Sequence, residues 1–255
     1  MSLRLRWPYA LALAFAVPFA VLLVGVRTSV GVWDTADLQT VAWILGIPYP
    51  TGYPGYVLLG FLWTHLIPLG NAASRLNALS AFAVAAAAAD VCGLVLAFDV
   101  AAPVALGAAW MFAFAEPIWQ RGTYADVHPL GFAVALAAVA LAVRWARTSD
   151  VRSLAAALVV AGAALAVDNT TILILTGALL TSLARPWPLR DVLRAALLGV
   201  AIVVLAYAYL PLRSAQVTAA RTDPTLALGI EPGRPFWDDH HPSAFDGFVE
   251  LVTGS

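Results

Sequence analysis

Along this chain, long apolar stretches alternate with short polar breaks. Apolar runs occupy about 8–26, 53–68, 74–98, 101–116, 128–146, 153–167, 170–184 and 195–212. A helix needs roughly 20 apolar residues to cross a bilayer, and several of these runs fall short of that. The pattern predicts an all-α polytopic membrane protein with about seven spans over 1–212 and further short or partly inserted helices. Its Ala- and Gly-rich runs, AVAAAAADVCG and LVVAGAALA, predict close backbone packing between helices. The first run follows Arg4 and Arg6, and no convincing small-residue cleavage site precedes the next polar loop, so it reads as a retained anchor.

Composition supports the same class: 62% hydrophobic and 11% charged residues, with a mean hydropathy of +0.84, exceed what a soluble core needs. A net charge of −1 gives no electrostatic footprint for nucleic acid. The chain has no P-loop, no G-x-G-x-x-G and no basic stripe with interleaved aromatics, so nucleotide-sugar and nucleic-acid binding lack a motif. The single cysteine, Cys92, offers neither an internal disulfide nor a cysteine-based metal site.

The arginines set an expected topology. Arg144, Arg147 and Arg152 form one cluster, and Arg185, Arg190 and Arg194 another; short cytoplasmic loops carry such excess. Together with Arg4 and Arg6 this puts the N-terminus inside and gathers Asp34, the loop 116–128, the Asp168–Asn169 break and the segment 213–255 outside. Asp34 and the 116–128 loop then need an even number of crossings between them, yet three apolar runs intervene. Either 53–68, which carries His65, or 101–116, which carries Pro103, fails to span, or two runs form one unit.

Chemistry concentrates in residues 33–56, WDTADLQTVAWILGIPYPTGYPGY. Leu38, Val41, Ala42 and Leu45 make one helical stripe ended by Gly46 and Pro48, as in an amphipathic helix lying in the membrane interface. Asp34 is placed to cap that helix, with Asp37 supporting the first turn. A carboxylate fixed at a helix start is also an oriented base. Pro48, Pro50 and Pro54 stiffen the following segment, whose Tyr49, Tyr53 and Tyr56 suit either an interfacial aromatic belt or a surface on which a sugar or lipid stacks.

DTAD, LGIPYPTGYPGYVLLG and SRLNALSAF resemble the opening block of a membrane protein family linked to protein O-mannosyltransferases, whose usual text runs D-S-G-E, L-G-I-P-H-P-P-G-Y-P-L-Y and R-x-N-x-x-S-A. WQRGTYADVHPL, YLPLRSA and FWDDHHPSAFDGFVELVTG keep the family order. Ala36 stands where the family has glycine and Asp37 where it has glutamate; Asp238, Asp239, His240, His241 and Pro242 replace its aspartate-proline pair.

The resemblance implies a GT-C-like helical bundle that moves mannose or a similar sugar from a polyprenyl phosphate to a Ser or Thr hydroxyl of a protein on the extracytoplasmic face, inverting the sugar carbon. Asp34 matches the family's catalytic acid, with Asp37 beside it. Arg213, Arg75 and Arg121 are candidates for the donor phosphate, since guanidinium forks bind phosphate bidentately. Tyr53, Pro54, Tyr56, Asp126 and His128 are the expected substrate-binding positions. No cofactor is implied, the lipid-linked sugar being a substrate, and the expected partners are that lipid, an acceptor protein and the bilayer. By the same resemblance, 213–255 reads as the start of a downstream extracytoplasmic portion.

The remaining polar features carry less. Asp90 is an acid inside an apolar run and so a candidate functional group. Asp168, Asn169 and Thr170 read as a tight turn. WDDHHP has the ingredients of a metal site without metal-ligand spacing, and no metal is assigned to it. A secondary transporter and a non-catalytic lipid-binding scaffold are the alternative functional classes.

Overall fold

The structure is a computed structural model describing residues 7–221 and 238–254. Arg4 and Arg6, which support the inside placement of the N-terminus, and Trp237 lie outside the described residues. The chain forms α1 (Trp7–Gly25), α2 (Asp34–Ile44), α3 (Pro54–Leu66), α4 (Ala72–Ala97), α5 (Ala102–Phe114), α6 (Glu116–Arg121), α7 (Val127–Thr148), α8 (Val151–Val167), a 3-10 turn (Asn169–Thr171), α9 (Ile172–Ser182), α10 (Leu189–Ala220) and α11 (Phe245–Thr253). It is an all-α membrane bundle. Four helices, α1, α4, α7 and α10, are long and apolar enough to cross a bilayer, while α5, α8 and Asn169–Ser182 are shorter apolar pieces.

Helix α4 packs on α1, α5 and α7; α7 continues the row to α8 and α9, and α8 to α10. Small residues make this possible. Ala81, Ala85 and Ala88 of α4 are fully buried, as are Ala135 and Ala138 of α7 and Ala164 of α8. Where α8 meets α10, a Cβ on Gly162 would overlap the Gly199 carbonyl oxygen, so the backbones touch. Association of helices within lipid depends on this kind of packing.

The two ends of the bundle differ in chemistry. At one end the arginine clusters converge: Arg147 pairs with Asp99 at 2.7 Å and Arg144 with Asp150 at 3.7 Å, and Arg185 Nε donates to the Ala146 carbonyl. The opposite end gathers the ends of α1 and α8, α2, the starts of α4 and α7, and α11.

Helix α3 has both ends at the polar end. Its start lies against the end of α8, where a Cβ on Gly55 would come 2.7 Å from the Ala166 carbonyl. Its end is tied to the start of α4: Arg75 Nη1 donates to the Thr64 carbonyl at 2.7 Å and Trp63 Nε1 to the Arg75 carbonyl at 2.8 Å. Its 13 residues, about 20 Å long, therefore run across one face of the bundle. Helix α5, by contrast, starts beside the Asp99–Arg147 pair of the arginine end and leads to α6 at the polar end.

Two details depart from the sequence reading. Trp33, with φ 53°, occupies the N-cap of α2 without a side-chain capping bond, and Asp34 is the first helical residue. The buried face of α2 includes Asp37 and Gln39 beside Leu38, Val41 and Ala42, because α2 packs under α3 and against α4 rather than lying on lipid alone.

Gly162→Val should wedge α8 from α10. Overpacking costs about 1–3 kcal/mol, so the apparent melting temperature of the detergent-solubilised protein should fall by several degrees, while Gly107→Ala on α5, where a Cβ meets nothing within 4 Å, should leave it unchanged.

Candidate functional site at the polar end

A cavity of about 470 Å³ opens at the polar end between the segment after α1, the start of α2 and the α6–α7 junction. Its walls are held by one buried amide. Asn77 of α4, fully buried, accepts from the Ala125 N–H at 2.8 Å and from Gln39 Nε2 at 2.7 Å through the same oxygen, and its own Nδ2 donates to the Arg27 carbonyl at 2.7 Å. Gln39 in turn accepts from the Gly31 N–H at 2.9 Å. Three separate stretches of chain are thus fixed to the first turns of α4.

Asp34 lines this cavity and is exposed. Its neighbour in sequence behaves differently. Asp37 is only 6% exposed, is absent from the cavity wall, and accepts a long 3.4 Å bond from the Tyr49 N–H on Oδ2, while its Oδ1 is buried with no partner. Burial pushes its carboxyl up to about 7, the Tyr49 N–H pulling it down and the charges of Asp239 and Asp34 adding to the rise. The two acids therefore face different surroundings, Asp34 in the cavity and Asp37 buried off its wall.

Asp126 lines the cavity with both oxygens committed: Oδ1 caps α7 by accepting the His128 N–H at 2.8 Å, and Oδ2 receives Arg121 Nη1 at 2.6 Å. His128 lines it too, its Nδ1 2.7 Å from Oδ2 of Asp168 at the end of α8. Asp168 is 1% exposed, and its other oxygen accepts Thr170 N–H and Oγ1–H at 3.0 and 2.8 Å. Burial would raise that carboxyl, but the bonds from His128 and Thr170 outweigh it and hold it below the usual range. The turn expected at 168–170 is present, and it also delivers an acid to His128, a contact across 40 residues that spacing cannot announce.

The arginines divide. Arg121 lines the cavity. Arg75 gives its donors to the carbonyls of Thr64, Leu69 and Gly70, and Arg213 gives Nε and Nη2 to those of Leu45 and Ile44, so each satisfies the last turn of a short helix and neither lines the cavity. Arg27, which the sequence did not single out, lines it with its guanidinium 5.9 Å from the Tyr124 ring and no hydrogen bond among the described residues. Among the tyrosines, Tyr49 reaches the cavity. Tyr53, Pro54 and Tyr56 are buried where α3 meets its neighbours; none of them lines the cavity.

Elsewhere, Asp238 and Asp239 pair locally with His241 at 2.7 Å and His240 at 3.0 Å; among the described residues no three His, Cys, Asp or Glu side chains converge as metal ligands. Asp90 lines a second cavity, of about 450 Å³, with Trp7, Arg144 and Arg147 near the arginine end, away from Asp34.

One surface cavity of this membrane-helix bundle thus gathers an exposed acid, Asp34, an ion-paired arginine, Arg121, and a histidine anchored on an acid, His128. Residues 34–190 match the family described as the protein O-mannosyl-transferase TMEM260 N-terminal domain, and the chain belongs to that family. It is 33% identical over 112 residues to the mouse (Mus musculus) protein O-mannosyl-transferase TMEM260, a match that takes in 44% of this chain and 16% of the relative. No solved structure matches.

The raised carboxyl of Asp37 has a signed consequence. A group whose folded value lies above its unfolded one contributes stability at low pH that is lost as pH climbs through the folded value, here about 7. Melting temperature should therefore decline as pH rises from the ordinary carboxyl value of 3.8 towards about 7, by an amount corresponding to a few kcal/mol at most, and Asp37→Asn should flatten that decline in a pH series of thermal unfolding.

Proposed function

We propose that this chain is the membrane domain of a glycosyltransferase of GT-C type, which transfers mannose or a similar sugar from a polyprenyl-phosphate donor to a Ser or Thr hydroxyl of a protein. The cavity would face the extracytoplasmic side, with the arginine clusters in the cytoplasm. The observation that carries the reading is Asp34: it corresponds to the family's acid and stands exposed in a cavity shared with Arg27 and Arg121.

A Ser or Thr hydroxyl is a weak nucleophile, so a carboxylate that takes its proton as the bond from C1 to phosphate breaks lowers the barrier. Attack from the face opposite the phosphate inverts C1. The phosphate gains charge as it leaves and needs donors aimed at it. Arg27 has an uncommitted guanidinium, and Arg121 is oriented by Asp126; these two suit that role, Arg75 and Arg213 being engaged with helix ends. The lipid tail would pass into the bilayer beside the bundle. The matched mouse protein, described as a protein O-mannosyl-transferase, supports the sugar and the acceptor class.

With the purified protein, synthetic polyprenyl-phosphate-mannose and a Ser/Thr peptide, Asp34→Asn should lower the transfer rate by at least about 100-fold with unchanged melting temperature. Equal rates for both proteins would remove Asp34 as base. Arg27→Ala should raise the KM for the donor about 10-fold or more, the worth of a charge-assisted hydrogen bond, while leaving the peptide KM unchanged.

A further inference from the structure

We propose that His128 and Asp168 form a dyad that receives the phosphate of the lipid donor, His128 through Nε2 as a catalytic residue and Asp168 as the positioning residue behind it. This rests on the glycosyltransferase reading and assigns its leaving-group subsite.

The dyad is built into the fold. Nδ1 of His128 lies 2.7 Å from Oδ2 of Asp168, so Nε2 is the ring nitrogen left without a partner among the described residues, on a side chain that lines the same cavity as Asp34, Arg27 and Arg121. Asp168 cannot swing away. Its Oδ1 is held by Thr170 twice, and Gly131 of α7 approaches so closely that a Cβ there would sit 2.8 Å from the Asp168 Cβ. The backbone of His128 is fixed separately, by the Asp126 cap. A histidine serving only as a helix-start residue needs no buried carboxylate brought from the end of α8.

Ring chemistry gives the preference for an anion. With a carboxylate acceptor on Nδ1 and a phosphate oxygen on Nε2, both nitrogens act as donors, and the ring is an imidazolium. The charged groups around it are Asp126 and Arg121 at the α6–α7 junction, Asp168 at the end of α8, Asp34 on α2 and Arg27 after α1. Arg121 is already matched by Asp126 at 2.6 Å, and Asp168 by the ring itself, so an incoming phosphate finds Arg27 and the second ring N–H unspent.

The step then balances. The acceptor hydroxyl oxygen bonds to C1, and its proton passes to Asp34. The C1–O bond to phosphate breaks, its electron pair staying on the phosphate oxygen. The Nε2–H donates a hydrogen bond to that oxygen without giving up its proton, and the lipid leaves as a phosphate dianion.

The test measures lipid binding apart from transfer, in nanodiscs of neutral lipid, with polyprenyl monophosphate and the matching polyprenyl alcohol as probes. His128→Gln should weaken monophosphate binding about 10- to 100-fold, the range of one charge-assisted hydrogen bond, and leave the alcohol unchanged. Asp168→Asn, which keeps the shape and the Thr170 contacts, should give a smaller loss with the same selectivity. Monophosphate binding by His128→Gln equal to wild type would overturn the proposal, as would equal losses for both probes, since those mark a merely structural role. Selective monophosphate binding by a wild type that transfers no sugar would uphold the subsite and overturn the glycosyltransferase reading.

Discussion

The polar end depends on the amide of Asn77. A carboxamide buried near the end of a membrane bundle must have its hydrogen bonds made within the protein, and here each goes to a different stretch: to the segment leaving α1, to α2 through Gln39, and to the strand-like entry into α7. None of those stretches has enough apolar surface to fold alone. That amide helps to fix the distance between Asp34, Arg27 and the Arg121–Asp126 pair, together with the Arg27 N–H bond to the Thr123 carbonyl and the Asp126 N–H bond to Ser80 of α4.

The course of α3 across this end is held by Arg75, which lies one turn into the next helix. It donates to the Thr64 carbonyl in the last turn of α3 and to the Leu69 and Gly70 carbonyls of the loop that follows. Arg213 of α10 donates to the Ile44 and Leu45 carbonyls at the end of α2, so that α10 is clamped to the first loop. In both cases a guanidinium meets main-chain carbonyls left unpaired at or just past a helix end.

Much of this architecture is legible in the sequence. The apolar runs give the helices, the arginine clusters give the two ends, and the parity of crossings asks that 53–68 or 101–116 fail to span or that two runs form one unit. What lays α3 across one end of the bundle is the tie between Trp63, Thr64 and Arg75, a tertiary contact with no periodic signature. The site is legible only in part for the same reason. Asp34 is marked by its motif and its place at a helix start, whereas Arg27 lies in a loop without pattern, and Asp168 reads locally as a turn residue because its turn bonds to Thr170 are real. Only the fold shows that its second oxygen meets His128. Arg213 and Arg75 show the converse: both stand in family-like motifs, and only the fold shows that their donors reach main-chain carbonyls.

Competition for hydrogen-bonding capacity also separates the acids at this end. Asp126 spends one oxygen on a helix cap and the other on Arg121; Asp168 spends one on Thr170 and the other on His128. Asp37 is buried off the cavity wall with an oxygen unmatched. A general base must offer a lone pair to a hydroxyl in the cavity, and a carboxylate already accepting on both oxygens, or one turned into the protein, is poorly able to. Trp33, by taking the N-cap position in place of Asp34, leaves the Asp34 carboxylate out of the capping interaction and open to the cavity. The departure from the expected capping pattern thus distinguishes Asp34 from Asp126, whose oxygens are taken up by a helix cap and by Arg121.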